Sequence, residues 1–261
     1  MQELEGKVAL ITGAGSGIGQ ATALCFAQQG ARVAVLDLSD DNVKQTVEQI
    51  TQKGGQALGI VADVSQVSDM QQAIEQIQQQ WDRLDVVFAN AGINGVWAPI
   101  DEIEPEEWDQ TININLRGTF LTVKYALPLL KVAGGAILIT SSVNGTRTFS
   151  NTGATAYSCS KAAQVAFAKM TALELAKYRI RVNVICPGAI DTHIDQSTQQ
   201  RNLEREQEPV VFPEGKTPLT DGAPGNAEQV AQLALFLASD RASHITGTPI
   251  WIDGAESLIK A

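Results

Sequence analysis

Ten residues near the start of the chain, Leu10-Ile11-Thr12-Gly13-Ala14-Gly15-Ser16-Gly17-Ile18-Gly19, constrain its fold more than any others. Before them, Lys7 to Ile11 is a short apolar, β-branched run of the kind that forms a buried parallel strand. After them, Ile18 to Gln29 carries apolar residues at helical spacing and stops at Gly30, a helix C-cap residue. The glycines therefore occupy a strand-to-helix turn. Without Cβ atoms, backbone N–H groups there can close on an anion, and the helix N-terminus adds partial positive charge. Spaced glycines alone often mean only a flexible turn. With a strand before and a helix after, they imply a site for a nucleotide pyrophosphate.

The alternation continues. Ala31 to Asp37 reads as a second strand, and Asp37 at its end, eighteen positions past Gly19, is placed to accept hydrogen bonds from a ribose. Ser39 or Asp40 can cap the helix that follows (40–53), which leaves Asp37 for that role. Neither Leu38 nor Ser16 offers a cation to a 2′-phosphate, so the pattern favours NAD over NADP. Further strands are expected at 56–62, 84–89, 135–141, 180–186 and 248–253. Helices are expected at 67–80, at 105–132 as one long helix, from 156 to about 177, and at 227–238. Such an order predicts an α/β fold. One domain spans 1–261, a doubly wound parallel sheet with helices on both faces.

With 44% hydrophobic residues, 261 residues can bury one substantial core. A net charge of −10 argues against nucleic acid or an anionic membrane as partner. No apolar run is long enough to span a bilayer, and the acidic start does not suit a signal peptide. Cys25, Cys159 and Cys186 lack metal-ligand spacing and read as reduced, buried thiols of a cytoplasmic protein. No metal set is apparent.

From Thr12 the glycines run Thr-Gly-x-x-x-Gly-x-Gly, and this version of the turn resembles that of the short-chain dehydrogenase/reductase family. The likeness extends over nearly the whole chain and implies a Rossmann-like fold. It implies cofactor contacts from Gly13, Ser16, Gly17, Ile18 and Gly19, with Asp63-Val64 at the adenine. Asn90-Ala91-Gly92 would follow the fourth strand, although Ala89 stands where the family commonly has a further asparagine. Pro187, Gly188, Ile190 and Thr192 would hold the nicotinamide carboxamide. The family pattern also falls on Asn115, in a helix interior where two asparagines and a glycine are locally unfavourable.

Tyr157 and Lys161, four apart at a helix start, share one face. Hydride transfer leaves a proton on oxygen that a separate acid/base must handle. Tyrosine, with an ordinary pKa of about 10, serves better when a nearby ammonium lowers that value. By resemblance Lys161 also bonds the ribose, and Asn115 fixes a water relaying protons to Lys161. Ser142, fifteen residues before Tyr157, would hold the substrate oxygen. The family interval is about two residues shorter, which leaves Ser141 as the alternative to Ser142.

These residues predict an NAD-dependent oxidoreductase acting on a secondary alcohol or ketone of a small molecule. An NADPH-dependent ketoreductase is opposed by Asp37 and Leu38, and so acidic a chain disfavours an acyl-carrier partner. A non-catalytic NAD-sensing or scaffold protein would be expected to lose Tyr157 or Lys161. Asn94, Val96, Trp97, Asn144, Arg147 and His193 are placed to border the substrate, a mixture that suits sugars, hydroxy acids, diketones or steroids. Arg147 either anchors a carboxylate or is an idle loop residue. Ala162 to Ala176 shows no broad polar stripe, which predicts a buried helix at the interface of a homo-oligomer, a homotetramer by resemblance. Residues 192–226 read as a substrate lid, with a polar middle that could form a short exposed helix.

Overall fold

Apolar residues fill both faces of each central strand, so the sheet must be covered on both sides. The computed structural model describes residues 2–206 and 217–259. Seven strands, β1 (Val8–Thr12), β2 (Arg32–Asp37), β3 (Gln56–Val61), β4 (Val86–Ala89), β5 (Gly135–Thr140), β6 (Ile180–Pro187) and β7 (Pro249–Ile252), form one sheet. All pair in parallel, in the order β7-β6-β5-β4-β1-β2-β3. The chain winds outward from β1 to β3, then returns to the far side of β1 to lay down β4. That reversal opens a crevice at the C-terminal ends of β1 and β4.

Along β1, Val8 and Leu10 enter one core while Ala9 and Ile11 enter the other. The first core is closed by α3 (Val67–Trp81), α5 (Gly118–Ala133) and α6 (Thr155–Leu175). The second is closed by α1 (Gly17–Gln28), α2 (Asp40–Gln52) and α7 (Ala227–Ala238). Phe26, Phe88 and Leu130 are among the largest fully buried side chains, each worth about 1.5–3 kcal/mol relative to exposure. At the opposite edge Asp85 is buried. It accepts from the Val8 N–H (2.9 Å) and from both Arg83 Nε and Nη2 (2.7 and 2.8 Å), so β1 and β4 start level.

Two local expectations give way. The long helix 105–132 is interrupted: α4 (Pro105–Ile112) passes through a π-helical turn, Asn113–Arg117, before α5 begins. The wider turn carries the fully buried Asn115, whose amide is bonded outside its own helix. The polar middle of 192–226 is not an exposed helix. His193–Ser197 is a 3₁₀ turn, and Thr198–Gln200 is a short strand pairing in parallel with Gly95–Trp97. Side chains drive that pairing: Asn94 Nδ2 donates to Thr198 Oγ1 (2.7 Å), and Arg201 grips Glu107 with both terminal nitrogens (2.9 Å each). Residues 207–216 of the expected lid lie outside the described residues. Of the three free thiols Cys25 and Cys186 are buried; Cys159 is exposed, because its position on α6 faces away from the sheet.

Candidate active site

A cavity of about 800 Å³ runs along the C-terminal edge of the sheet. One end is built by Gly13, Ser16, Gly17 and Ile18, with Asp37 and Leu38 beyond β2, and Asp63 and Val64 beyond β3. Asn90, Ala91 and Gly92 after β4 form the middle. Ser142, Asn144, Tyr157 and Lys161 stand at the other end with Pro187, Gly188, Ile190 and Thr192, and Asn94 and Trp97 close it.

The remaining expected residues lie elsewhere. Gly19 packs behind the turn, where a Cβ would collide with the carbonyl oxygen of Gly13, so its small size serves helix-to-strand packing. Arg147 is not in the wall: its guanidinium lies 3.7 Å over the Trp251 ring, a cation–π contact that turns it away. Val96 is buried in its strand. His193 begins the 3₁₀ turn after Thr192, and its side chain lies outside the described parts.

At the nucleotide end, Asp37 Oδ2 accepts from the Gly15 N–H (2.9 Å) and Oδ1 from the Ser39 N–H (3.1 Å). Ser39, not Asp37, caps α2. The carboxylate is thereby fixed at the cavity wall with lone pairs remaining. Gly13 has φ +64°, and a Cβ there would come 3.0 Å from Ala91 Cα, closing the turn against the middle of the cavity. Asp63 Oδ1 accepts from both N–H and hydroxyl of Ser65 (2.8 and 2.7 Å). A glycine cradle at a helix start, with a fixed carboxylate one strand away, fits an adenine dinucleotide.

At the other end, one polar network holds the reacting groups. Asn115 Nδ2 donates to the Ile93 carbonyl (2.9 Å) and to Ser160 Oγ (3.0 Å), and its Oδ1 accepts from the Ile93 N–H (2.8 Å). Ser160 in turn donates to the Tyr157 carbonyl (2.7 Å). Gln164, fully buried one turn beyond Lys161, donates to the Asn115 carbonyl (2.9 Å) and to Thr119 Oγ1 (2.8 Å), bracing the π-turn. Lys161 Nζ donates to the Thr140 carbonyl (3.0 Å). A Cβ on Gly92 would sit 3.0 Å from Asn115 Oδ1 and 3.5 Å from Lys161 Nζ, so the glycine leaves a gap between those two groups. Thr140, Ser160 and Gln164 escaped the sequence reading. Only Gln164, a polar residue in an otherwise apolar helix, left a trace there.

The choice between neighbouring serines is geometric. Ser141 Oγ donates back to the Lys161 carbonyl (2.7 Å), whereas Ser142 is hydrogen-bonded to the Tyr157 side chain and lines the cavity. The Trp97 ring stands 6.4 Å from that of Tyr157, held by its Nε1 donating to the Asn94 carbonyl (3.2 Å). Electrostatics correct one expectation. Burial pushes the Tyr157 phenol up to about 12, against the lowering effect of the Ser142 hydrogen bond. Burial also pushes the Lys161 ammonium down to about 8. Desolvation outweighs the attraction expected between phenolate and ammonium, because both groups sit dry.

The profile of a family described as enoyl-(acyl carrier protein) reductase matches residues 13–255. A 3-oxoacyl-[acyl-carrier-protein] reductase of Thermotoga maritima is 39% identical over 96% of this chain and 98% of its own. The structure of a 3-ketoacyl-ACP reductase from Sinorhizobium meliloti superposes with a TM-score of 0.93 at 52% identity, covering 97% of this chain and 99% of that one. A 3-ketoacyl-(acyl-carrier-protein) reductase from Brucella melitensis, solved with NADH, gives 0.85 at 31% identity, covering 97% and 99%. Matches of this extent, on a sheet that carries the same phosphate turn and Tyr–Lys pair, make the chain an oxidoreductase of the short-chain dehydrogenase/reductase family.

Proposed function

We propose that the chain transfers hydride between the nicotinamide of NAD and a secondary alcohol or ketone of a small molecule, with Tyr157 as acid/base. One observation carries this reading: the Tyr157–Ser142 hydrogen bond stands in the same cavity as a fixed Asp37 carboxylate. Gly13, Ser16, Gly17 and Ile18 would hold the pyrophosphate, Asp37 the adenosine ribose, and Lys161 the nicotinamide ribose. Bound there, the nicotinamide supplies or accepts the hydride. Ser142 orients the substrate oxygen toward the phenol. Tyr157, kept protonated by burial, gives its proton to a carbonyl oxygen during reduction and must lose it first for oxidation. The gap beside Gly92 suits a water joining Lys161 to Asn115.

The segment after Thr192 reads as a lid whose near part docks on Gly95–Trp97, closing the site at Trp97. Assembly follows from α6. Ala162, Ala166, Met170 and Leu173 form one exposed stripe, with Met170 and Leu173 73% and 82% exposed, a face that a second copy of the chain would cover in a homotetramer.

For the cofactor, kcat/KM with NAD should exceed that with NADP by at least about tenfold, since a 2′-phosphate would meet the Asp37 carboxylate. Equal or better use of NADP overturns that choice. Tyr157→Phe should lower turnover by at least about a hundredfold while NADH fluorescence still reports binding. In the unmodified chain, oxidation should climb with pH above neutrality and reduction should not, because the phenol rests protonated. Substantial activity in Tyr157→Phe removes the acid/base. Light scattering at micromolar concentration should give a tetramer mass that Leu173→Lys reduces; a monomer in the unmodified chain refutes the assembly. Amide exchange across residues 196–206 should slow when NAD and a substrate analogue bind together, and exchange already slow and unaltered by ligands ends the lid idea.

A further inference from the structure

The wall around Tyr157 has a definite chemical character. Among the described residues lining the cavity, Lys161 is the sole cation, and it is committed to the Thr140 carbonyl. Asp191, Asp195 and Glu256 lie toward the same end. Arg147, the nearest candidate to balance them, is stacked on Trp251 outside the wall. A substrate carrying a carboxylate or phosphate would approach through like charge.

What faces the substrate instead is a pair of amides. Asn144 is tied to the reacting centre through its N–H, which donates to Ser142 Oγ (3.1 Å), and Ser142 is bonded to Tyr157. Asn151 Nδ2 donates to Asn144 Oδ1 (3.0 Å), locking the two side chains edge to edge. Both are half-buried in the cavity wall. That bond uses one side of each amide. The Asn144 Nδ2 donor and the Asn151 Oδ1 acceptor have no partner among the described residues, and they stand side by side. A hydroxyl is donor and acceptor at once, so one hydroxyl can satisfy both edges. Beside them the Trp97 ring, 6.4 Å from that of Tyr157, offers an apolar face to the carbon skeleton.

The geometry points to a neutral vicinal diol or larger polyol as the substrate class, its second hydroxyl read by Asn144 and Asn151. The inference rests on the oxidoreductase reading above. In oxidation the C–H bond of the reacting carbinol breaks with its electron pair going to NAD, and the O–H proton passes to ionised Tyr157. The products are an α-hydroxyketone and NADH. An alcohol without the second hydroxyl leaves the amide pair unpaired, and sites built to bond a hydroxyl discriminate strongly against analogues lacking it.

The test compares cis- and trans-cyclohexane-1,2-diol with cyclohexanol, following NADH formation, alongside acetoacetyl-CoA reduction by NADH. The better diol isomer should exceed cyclohexanol in kcat/KM by at least about tenfold and exceed the thioester as well. Asn144→Ala and Asn151→Ala should each collapse the diol-to-cyclohexanol ratio toward one; should the first fail to fold, the second carries the test. Cyclohexanol or the thioester being used as well as the diol overturns the proposal, as does a ratio that survives Asn151→Ala. NADH titration by fluorescence separates the remaining failures. Saturable NADH binding without diol turnover overturns the substrate class alone, whereas no NADH binding overturns the oxidoreductase reading beneath it.

Discussion

Asn90 joins the two ends of the site. Lying just beyond β4, between β1 and β5, it reaches both neighbours. Its Nδ2 donates to the Thr12 carbonyl (3.2 Å), and its Oδ1 accepts from the Thr140 hydroxyl (2.9 Å). Its N–H donates to Thr12 Oγ1 (3.0 Å). The carbonyl of that same Thr140 receives Lys161 Nζ. The phosphate turn and the Lys161 ammonium are therefore linked through one side chain and one strand end. Each such bond, left unmade in a buried place, costs about 1–3 kcal/mol, so the linkage is as much a condition of folding as of function.

The pair at the chemical end is held under opposing demands. Burial moves Tyr157 and Lys161 toward their neutral forms, from opposite directions. A dry site strengthens every interaction with a substrate oxygen, yet it also raises the cost of the phenolate that oxidation needs. Ser142 works against that cost by bonding the phenol oxygen. The surrounding acidic groups and the stacked Arg147 set the charge that an entering molecule meets.

Periodicity and turn chemistry made most of the fold legible. Strand and helix alternation, the glycine turn and the Tyr157–Lys161 spacing are local signals, and each expected strand and helix on the main sheet lies within a few residues of its place. Asp37 was legible because Ser39 could cap the following helix, and does. The π-turn was not, since apolar residues continue at helical spacing through Asn113–Arg117 and only the tertiary bonds of Asn115 widen it. The strand at Thr198–Gln200 was equally hidden. Its polar sequence pairs because Asn94 and Glu107, about a hundred residues earlier, supply its partners. Arg147 was misplaced for a similar reason: its aromatic partner, Trp251, comes from the far end of the chain.

The widened turn between α4 and α5 also fixes a length. A regular helix advances about 100° per residue, so removing one residue from Asn113–Arg117 would swing everything on one side of the deletion by about that angle relative to the other. Asn115 could then keep its grip on Ile93 only if α4 rotated against β4 or α5 slid out of its core. Neither move is open to helices packed on a fixed sheet. For this stretch, insertion and deletion are a harsher class of change than substitution, and the reading frame of the helix matters as much as the identity of the asparagine it presents.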